Sequence, residues 1–157
     1  MLRSHPSKGG AGRLAKRFLQ DSGPVARLLA TLFFTVNVLE SVRQYKKDPQ
    51  RTFVFVRYLL GTAYLPAALA PSGYMVFRRL LPFPDLAIFI DIEPEVAARR
   101  IKARGLAPEM FETVERMETV RRIARKLVSD EWATVDNSID GEQPFLETER
   151  LVSRMLG

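Results

Sequence analysis

The chain has 157 residues, enough for one domain with a core of its own. It is 46% hydrophobic and 27% charged, with no cysteine and one histidine, which excludes disulfides, thiolate zinc sites, cysteine nucleophiles and multi-histidine metal sites. A net charge of +6 favours an anionic partner: nucleotide phosphate, nucleic acid or an acidic membrane.

Met1 to Arg3 reads as the stub of a strand, followed by the loop SHPSKGGAG. The opening MLRSHPSKGG lacks the apolar core of a secretion signal. Arg13 to Gln20 carries helical spacing (Leu14 with Phe18, Ala15 with Leu19). Pro24 to Tyr45 predicts a long helix, apolar on most sides, with Pro24 suited to its first position. Such a helix is expected to pack on a sheet or to share its excess apolar face with a second subunit. Its most apolar part, Leu28 to Leu39, is interrupted by Asn37 and flanked by Arg27 and Glu40, too short and too polar at its edges to span a bilayer. A cytoplasmic protein with no membrane partner is expected.

Thr52 to Val56 and Leu86 to Ile92 are near-continuous apolar runs, read as strands buried on both faces, the habit of parallel sheets. Pro94 to Arg104 predicts a helix with Glu93 as its cap and Gly105 as its stop. Glu109 to Asp130 predicts another, with acids early and bases late, in line with the helix dipole. Trp132 to Asp136 is the last strand and Pro144 to Leu156 the last helix. This alternation predicts an α/β fold with a doubly wound parallel sheet.

Arg57 follows the Phe53-Val54-Phe55-Val56 run with no acidic neighbour. Open parallel sheets hold ligands beyond the carboxyl ends of their strands, and a guanidinium there can hold a phosphate bidentately. A salt bridge to a neighbouring loop explains the same residue equally well. A second constellation runs from Pro84 to Gly105: a strand, Asp91 and Glu93, the turn proline Pro94, then Arg99, Arg100, Lys102 and Arg104. A basic helix entering a loop suits a lid over phosphates, and it suits a solvated face.

The Pro84 to Arg104 block resembles a segment of the thymidylate kinases, members of the P-loop nucleoside monophosphate kinase group. The likeness rests on Pro84, Asp85, Leu86, Asp91, Pro94, Glu95, Val96, Ala97, Ile101 and Arg104. Other pieces fall in the same order. Pro6 with Gly12 resembles the "REP-GGT" loop, Arg57-Tyr58 the tail of "DRY", Ala63-Tyr64 the following "AY", Met110-Phe111-Glu112 the "RFE" after the lid, and Val135-Asp136 the "ID" before the last helix.

The resemblance implies a single kinase-like domain over 1–157, with a three-layer doubly wound sheet of the P-loop NTPase type and a lid near 99–112. It implies transfer of the ATP γ-phosphate to a nucleoside monophosphate, dTMP favoured, with Mg²⁺. Arg57 would contact the acceptor phosphate, and Tyr58, Tyr64 and Pro6 would form the acceptor site. Arg99, Arg100 and Arg104 would supply lid cations, and Asp136 and Asn137 would lie near the adenine. A homodimer through the 24–45 helix is expected.

Four departures stand beside the likeness. The family opens with a strand, a GxxxxGK[ST] loop and a helix; here no Gly-Lys pair exists, and in SKGGAGR the lysine precedes the glycines. Val56 stands where "DRY" has its aspartate, Val36-Asn37 where the preceding helix carries "DR", and Ser4-His5 ahead of Pro6 in the "REP" loop. The missing strand would be central to the sheet, so its neighbours are expected to lack a partner, and Met1 to be an internal start. The first reading is therefore a kinase inactive as this chain. The alternative is a non-catalytic nucleotide-binding pseudo-kinase or dimerising regulatory protein. A specific nucleic-acid binder ranks last, because the basic residues are spread along the chain with no recognition motif.

Overall fold

The structure is a computed structural model that describes residues 1–5, 9–10, 13–14, 17, 24–48, 50–105 and 113–157. These residues form two compact units, Met1–Pro82 and Phe83–Gly157.

In the first unit, β1 (Leu2–Ser4) pairs in parallel with β2 (Val54–Val56), Leu2 opposite Val54. The connection contains α1 (Pro24–Lys47), as a parallel pair requires. Phe53 and Phe55 lie on one face of the strand and stack with ring centroids 6.0 Å apart. Tyr45 of α1 meets Phe53 edge-on at 5.6 Å. Alternation then sends Val54 and Val56 to the other face, where they are 52% and 41% exposed. Burial on both faces, expected from the apolar run, does not hold here: the run is apolar, but only one face is covered.

A 3₁₀ helix (Leu59–Tyr64) and α2 (Ala70–Leu80) follow. The sequence reading contained neither, because Pro66 and Pro71-Ser72-Gly73 look like turn residues. Pro71 instead sits in the first turn of α2, where its missing N–H costs nothing. Gly73 lets Leu65 approach: a Cβ there would lie 2.7 Å from Leu65 Cδ1. Val38, Val42, Leu59, Ala63, Ala70, Tyr74 and Leu81 make the apolar core of this unit, joined by buried His5, Asn37, Ser41 and Thr62.

In the second unit, β3 (Ala87–Asp91) pairs in parallel with β4 (Trp132–Asp136), Asp91 opposite Asp136. Between them run α3 (Pro94–Ala103) and α4 (Val114–Leu127); α5 (Gln143–Leu156) follows β4. Ala87, Ile123, Ala124, Leu127 and Val135 form the apolar core. Gly105 closes α3 with φ 66°, its N–H donating to Lys102 O at 3.2 Å, as its position predicted. Glu93 takes the cap position without a side-chain capping bond; its carboxylate goes to Arg121 instead.

Among the described residues the strands thus form two separate two-stranded parallel sheets, rather than the one continuous sheet expected. Of the Arg13–Gln20 helix, Arg13, Leu14 and Arg17 are helical and the rest lie outside the described residues. So do Pro6, Gly12, Met110-Phe111-Glu112 and the 106–112 part of the expected lid.

Candidate functional site

The end of β2 is held by aromatic stacking and one doubly bonded carbonyl. The Phe55 ring lies between His5, centroids 6.1 Å apart, and Tyr58, 4.8 Å apart, both near-parallel. Val56 O accepts two hydrogen bonds from the same residue: His5 N–H at 3.2 Å and His5 Nδ1 at 3.0 Å. The chain then turns sharply, and Arg57 takes φ 57°. Among the described residues it is the one non-glycine residue in the left-handed region, a conformation that costs about 1–3 kcal/mol and concentrates at functional sites.

Arg57 is exposed and has no carboxylate partner among the described residues. Its guanidinium lies 5.7 Å from the Tyr64 ring centroid, within cation–π range. The 3₁₀ helix that carries Tyr64 starts directly after Arg57-Tyr58, which is how the chain brings the two together. Tyr58, expected at a pocket wall, is in the core, with its hydroxyl donating to Pro82 O at 3.1 Å. Burial pushes its phenol pKa well up, helped by Tyr45. Its ring and hydroxyl anchor the chain in the core one residue after the Arg57 turn.

Asn37 is buried on α1, where its backbone carbonyl accepts from Ser41 Oγ at 3.2 Å. Ser41 Oγ also lies 2.9 Å from His5 Nε2. Burial, aided by the charge of Arg3 and opposed by the bond to Val56, holds the His5 pKa below its ordinary value.

The second unit gathers its polar groups at the carboxyl ends of β3 and β4. Asp91 is buried and accepts from Arg121 Nε at 2.7 Å, Arg121 Nη2 at 2.9 Å and Arg125 Nη2 at 2.6 Å. The hydrogen bonds from Arg121 lead in holding its carboxyl below the usual range, against the effect of burial, with Arg125 adding to them. Arg121 also reaches Glu93 at 2.8 Å.

The loop after β4 is tied down from several sides. Asn137 N–H donates to Asp91 O at 2.7 Å, Ser138 N–H to Asp136 Oδ1 at 2.9 Å, and Glu93 N–H to Ser138 Oγ at 2.9 Å. Hydrogen bonds from Ser138 hold the exposed Asp136 carboxyl below its ordinary pKa. Arg99 and Arg100 each meet Asp140 at 2.8 Å, and Arg100 also donates to Asn137 O at 2.9 Å and Ile139 O at 3.3 Å. The structure therefore engages two of the three expected lid cations with the loop that carries Asn137. Arg104 is exposed at the end of α3.

Asp140, Arg121, Arg125 and His5 were missed as site-shaping residues. The i, i+4 spacing of Arg121 and Arg125 does put them on one helix face, but nothing in the sequence pairs that face with Asp91.

These features sit on a thymidylate kinase pattern. The family model "Thymidylate kinase" matches residues 1–150. The chain belongs to the thymidylate kinase family. A probable thymidylate kinase from Pyrobaculum aerophilum is 27% identical over 160 residues, covering 96% of this chain and 81% of the relative. A probable thymidylate kinase from Pyrobaculum calidifontis is 33% identical over 123 residues, covering 75% of this chain and 63% of the relative. The structure of thymidylate kinase from Candida albicans superposes with a TM-score of 0.79 at 19% identity, covering 98% of this chain and 79% of that one, so the two share a fold. Membership of the thymidylate kinase family places the chain among enzymes, in the nucleoside monophosphate kinase class.

The family works with ATP and Mg²⁺. Among the described residues there is no group of three or more His, Cys, Asp or Glu side chains that could hold a metal ion. No helix among them is long and apolar enough to cross a membrane.

Proposed function

We propose that this chain binds a nucleoside monophosphate, dTMP in preference, as the acceptor for phosphoryl transfer from ATP. The observation that carries the reading is Arg57: an exposed guanidinium, in a strained left-handed conformation, at the carboxyl end of a parallel strand. Strain of this kind is kept where the geometry of a side chain matters more than its conformational ease. A planar guanidinium presents paired N–H donors to phosphate oxygens, and the Tyr64 ring limits its swing.

The acceptor residues Arg57 and Tyr64 belong to the first unit, with Tyr58 packed in its core; Pro6, also read as an acceptor residue, lies outside the described residues. The donor residues Arg99, Arg100 and Arg104, with Asp136 and Asn137 near the adenine, belong to the second. One family match spanning both units supports their serving as a single kinase-like domain with a three-layer doubly wound sheet. The ion pairs of Arg99 with Asp140 are largely exposed, so competition from a polyanion releases that cation cheaply. In transfer these residues would position the two phosphates and offset charge on the moving group. The motif that cradles β- and γ-phosphates is not among the 157 residues, so the chain by itself is expected to bind rather than turn over.

The alternative is a non-catalytic nucleotide-binding or dimerising regulatory protein. Val56 in place of a carboxylate and a buried Asn37 in place of an arginine favour it. An apolar groove lined by Thr35, Val38, Leu39, Phe77, Leu80 and Leu81 supports a homodimer contact along α1. A cytoplasmic location, with no membrane or specific nucleic-acid partner, completes the proposal.

The test is calorimetric titration of the chain with dTMP and with thymidine, which lacks the phosphate. Tighter binding of dTMP, reduced about tenfold or more by Arg57→Ala, is expected. Equal binding of both ligands overturns the acceptor assignment. ADP formation from ATP and dTMP by this chain would exclude the pseudo-kinase reading and overturn the expectation of binding without turnover.

A further inference from the structure

We infer that His5 is a positioning residue for the Arg57 cation, acting through the Val56 carbonyl. The inference rests on the reading of Arg57 as a phosphate ligand.

A peptide plane is rigid, so fixing the Val56 oxygen fixes the direction of the Arg57 N–Cα bond, and with Tyr58 anchored in the core on the other side, the φ between the two is restricted. His5 holds that oxygen twice, through its backbone N–H at 3.2 Å and through Nδ1 at 3.0 Å. The first bond continues the β1–β2 ladder and would exist with any residue but proline. The second is specific to the side chain. A carbonyl only accepts, so Nδ1 carries the hydrogen. Nε2 is then the acceptor in the neutral ring, 2.9 Å from Ser41 Oγ, whose one hydrogen is shared between this nitrogen and the Asn37 carbonyl. The lowered pKa of the buried ring favours that neutral form.

The ring cannot easily move. It is 1% exposed, stacked on Phe55 and edge-on to Phe34 at 6.1 Å. The imidazole is thus locked between α1, where Ser41 holds it, and β2, where it holds the carbonyl before the strained residue. A buried histidine that merely filled space would not need both ring nitrogens aligned in this way. The left-handed turn is a conformation that an arginine does not adopt unaided. His5 supplies the restraint that keeps Arg57 in it.

The test uses the full chain and two readouts. The first is the ratio of thymidine to dTMP dissociation constants. His5→Leu is expected to lower that ratio about tenfold while leaving thymidine affinity unchanged, and His5→Asn, whose amide nitrogen can replace Nδ1, to restore most of it. The second readout needs no nucleotide. With His5 present, Arg57→Gly should melt at a higher temperature than Arg57→Ala, because glycine accepts positive φ freely. With His5→Leu that difference should shrink, since the turn is no longer imposed. A wild-type ratio in His5→Leu, or an unchanged glycine–alanine difference, overturns the role of His5. Loss of phosphate discrimination in His5→Leu but not in Arg57→Ala overturns the Arg57 reading instead. Should His5→Leu fail to fold, His5→Asn against His5→Gln gives the same comparison, because only the shorter amide places a donor at the Nδ1 position.

Discussion

Arg121 closes a bidentate ion pair on Asp91, with Nε to Oδ1 at 2.7 Å and Nη2 to Oδ2 at 2.9 Å. The carboxylate is 5% exposed and its second oxygen also receives Arg125. Asp91 therefore anchors α4 to the carboxyl end of β3, and Glu93 extends the network from the turn that opens α3.

Replacing Asp91 by alanine leaves Arg121, itself mostly covered, without its main partner. Breaking a buried pair from one side costs on the order of 3 kcal/mol. The urea midpoint of Asp91→Ala should fall accordingly. Arg125→Ala should cost much less, because Arg121 still serves the carboxylate and Arg125 is more than half exposed.

Acid should act through two separate groups. The folded pKa of Asp91 is depressed, so its contribution is present above the ordinary carboxylate value and is lost as pH falls through the lower folded value. The folded pKa of His5 is also depressed. Below its ordinary value of 6.5 the unfolded chain takes up a proton that the native ring resists, so stability declines as pH falls from there. Arg3 on β1 adds to this resistance; the Val56 carbonyl on β2 opposes it. Unfolding measured from pH 8 to 3 should show two stages of loss. His5→Asn removes the first and Asp91→Asn the second.

Gly61 touches the Phe34 ring so closely that a Cβ would lie 2.3 Å from Cζ. Gly61→Ala should destabilise by about 1–3 kcal/mol through overpacking. Phe34→Leu should relieve that penalty. Because Phe34 is edge-on to His5, Gly61→Ala should also weaken dTMP binding relative to thymidine.

Asp140→Ala should barely change the melting temperature, since the carboxylate is exposed. Arg100→Ala should be felt more strongly, because Arg100 also donates to the Asn137 and Ile139 carbonyls. Hydrogen exchange at residues 137–140 should rise in Arg100→Ala and stay near wild type in Asp140→Ala.

Much of the fold was legible in local pattern. The strands at Val54, Ala87 and Trp132, the stop at Gly105 and the parallel pairing follow from short-range preferences: period-two alternation, caps and βαβ spacing. The helix at Ala70–Leu80 was not, because Pro71 and Gly73 are turn residues by local preference. Only contact with Leu65 explains the glycine. The charged residues of α4 were read as complementing the helix dipole, whereas Arg121 and Arg125 are used on Asp91.

The sequence by itself determined the family, the anionic character of the ligand sought and the candidacy of Arg57, since these depend on residue identity and order along the chain. Tertiary structure decided what each charge meets. It buried Tyr58 and Asn37, gave Arg99 and Arg100 to Asp140, and put His5 against the carbonyl that sets the Arg57 turn. Those outcomes join residues far apart in the chain, and their strengths depend on distance and burial, quantities that exist only once the chain has folded.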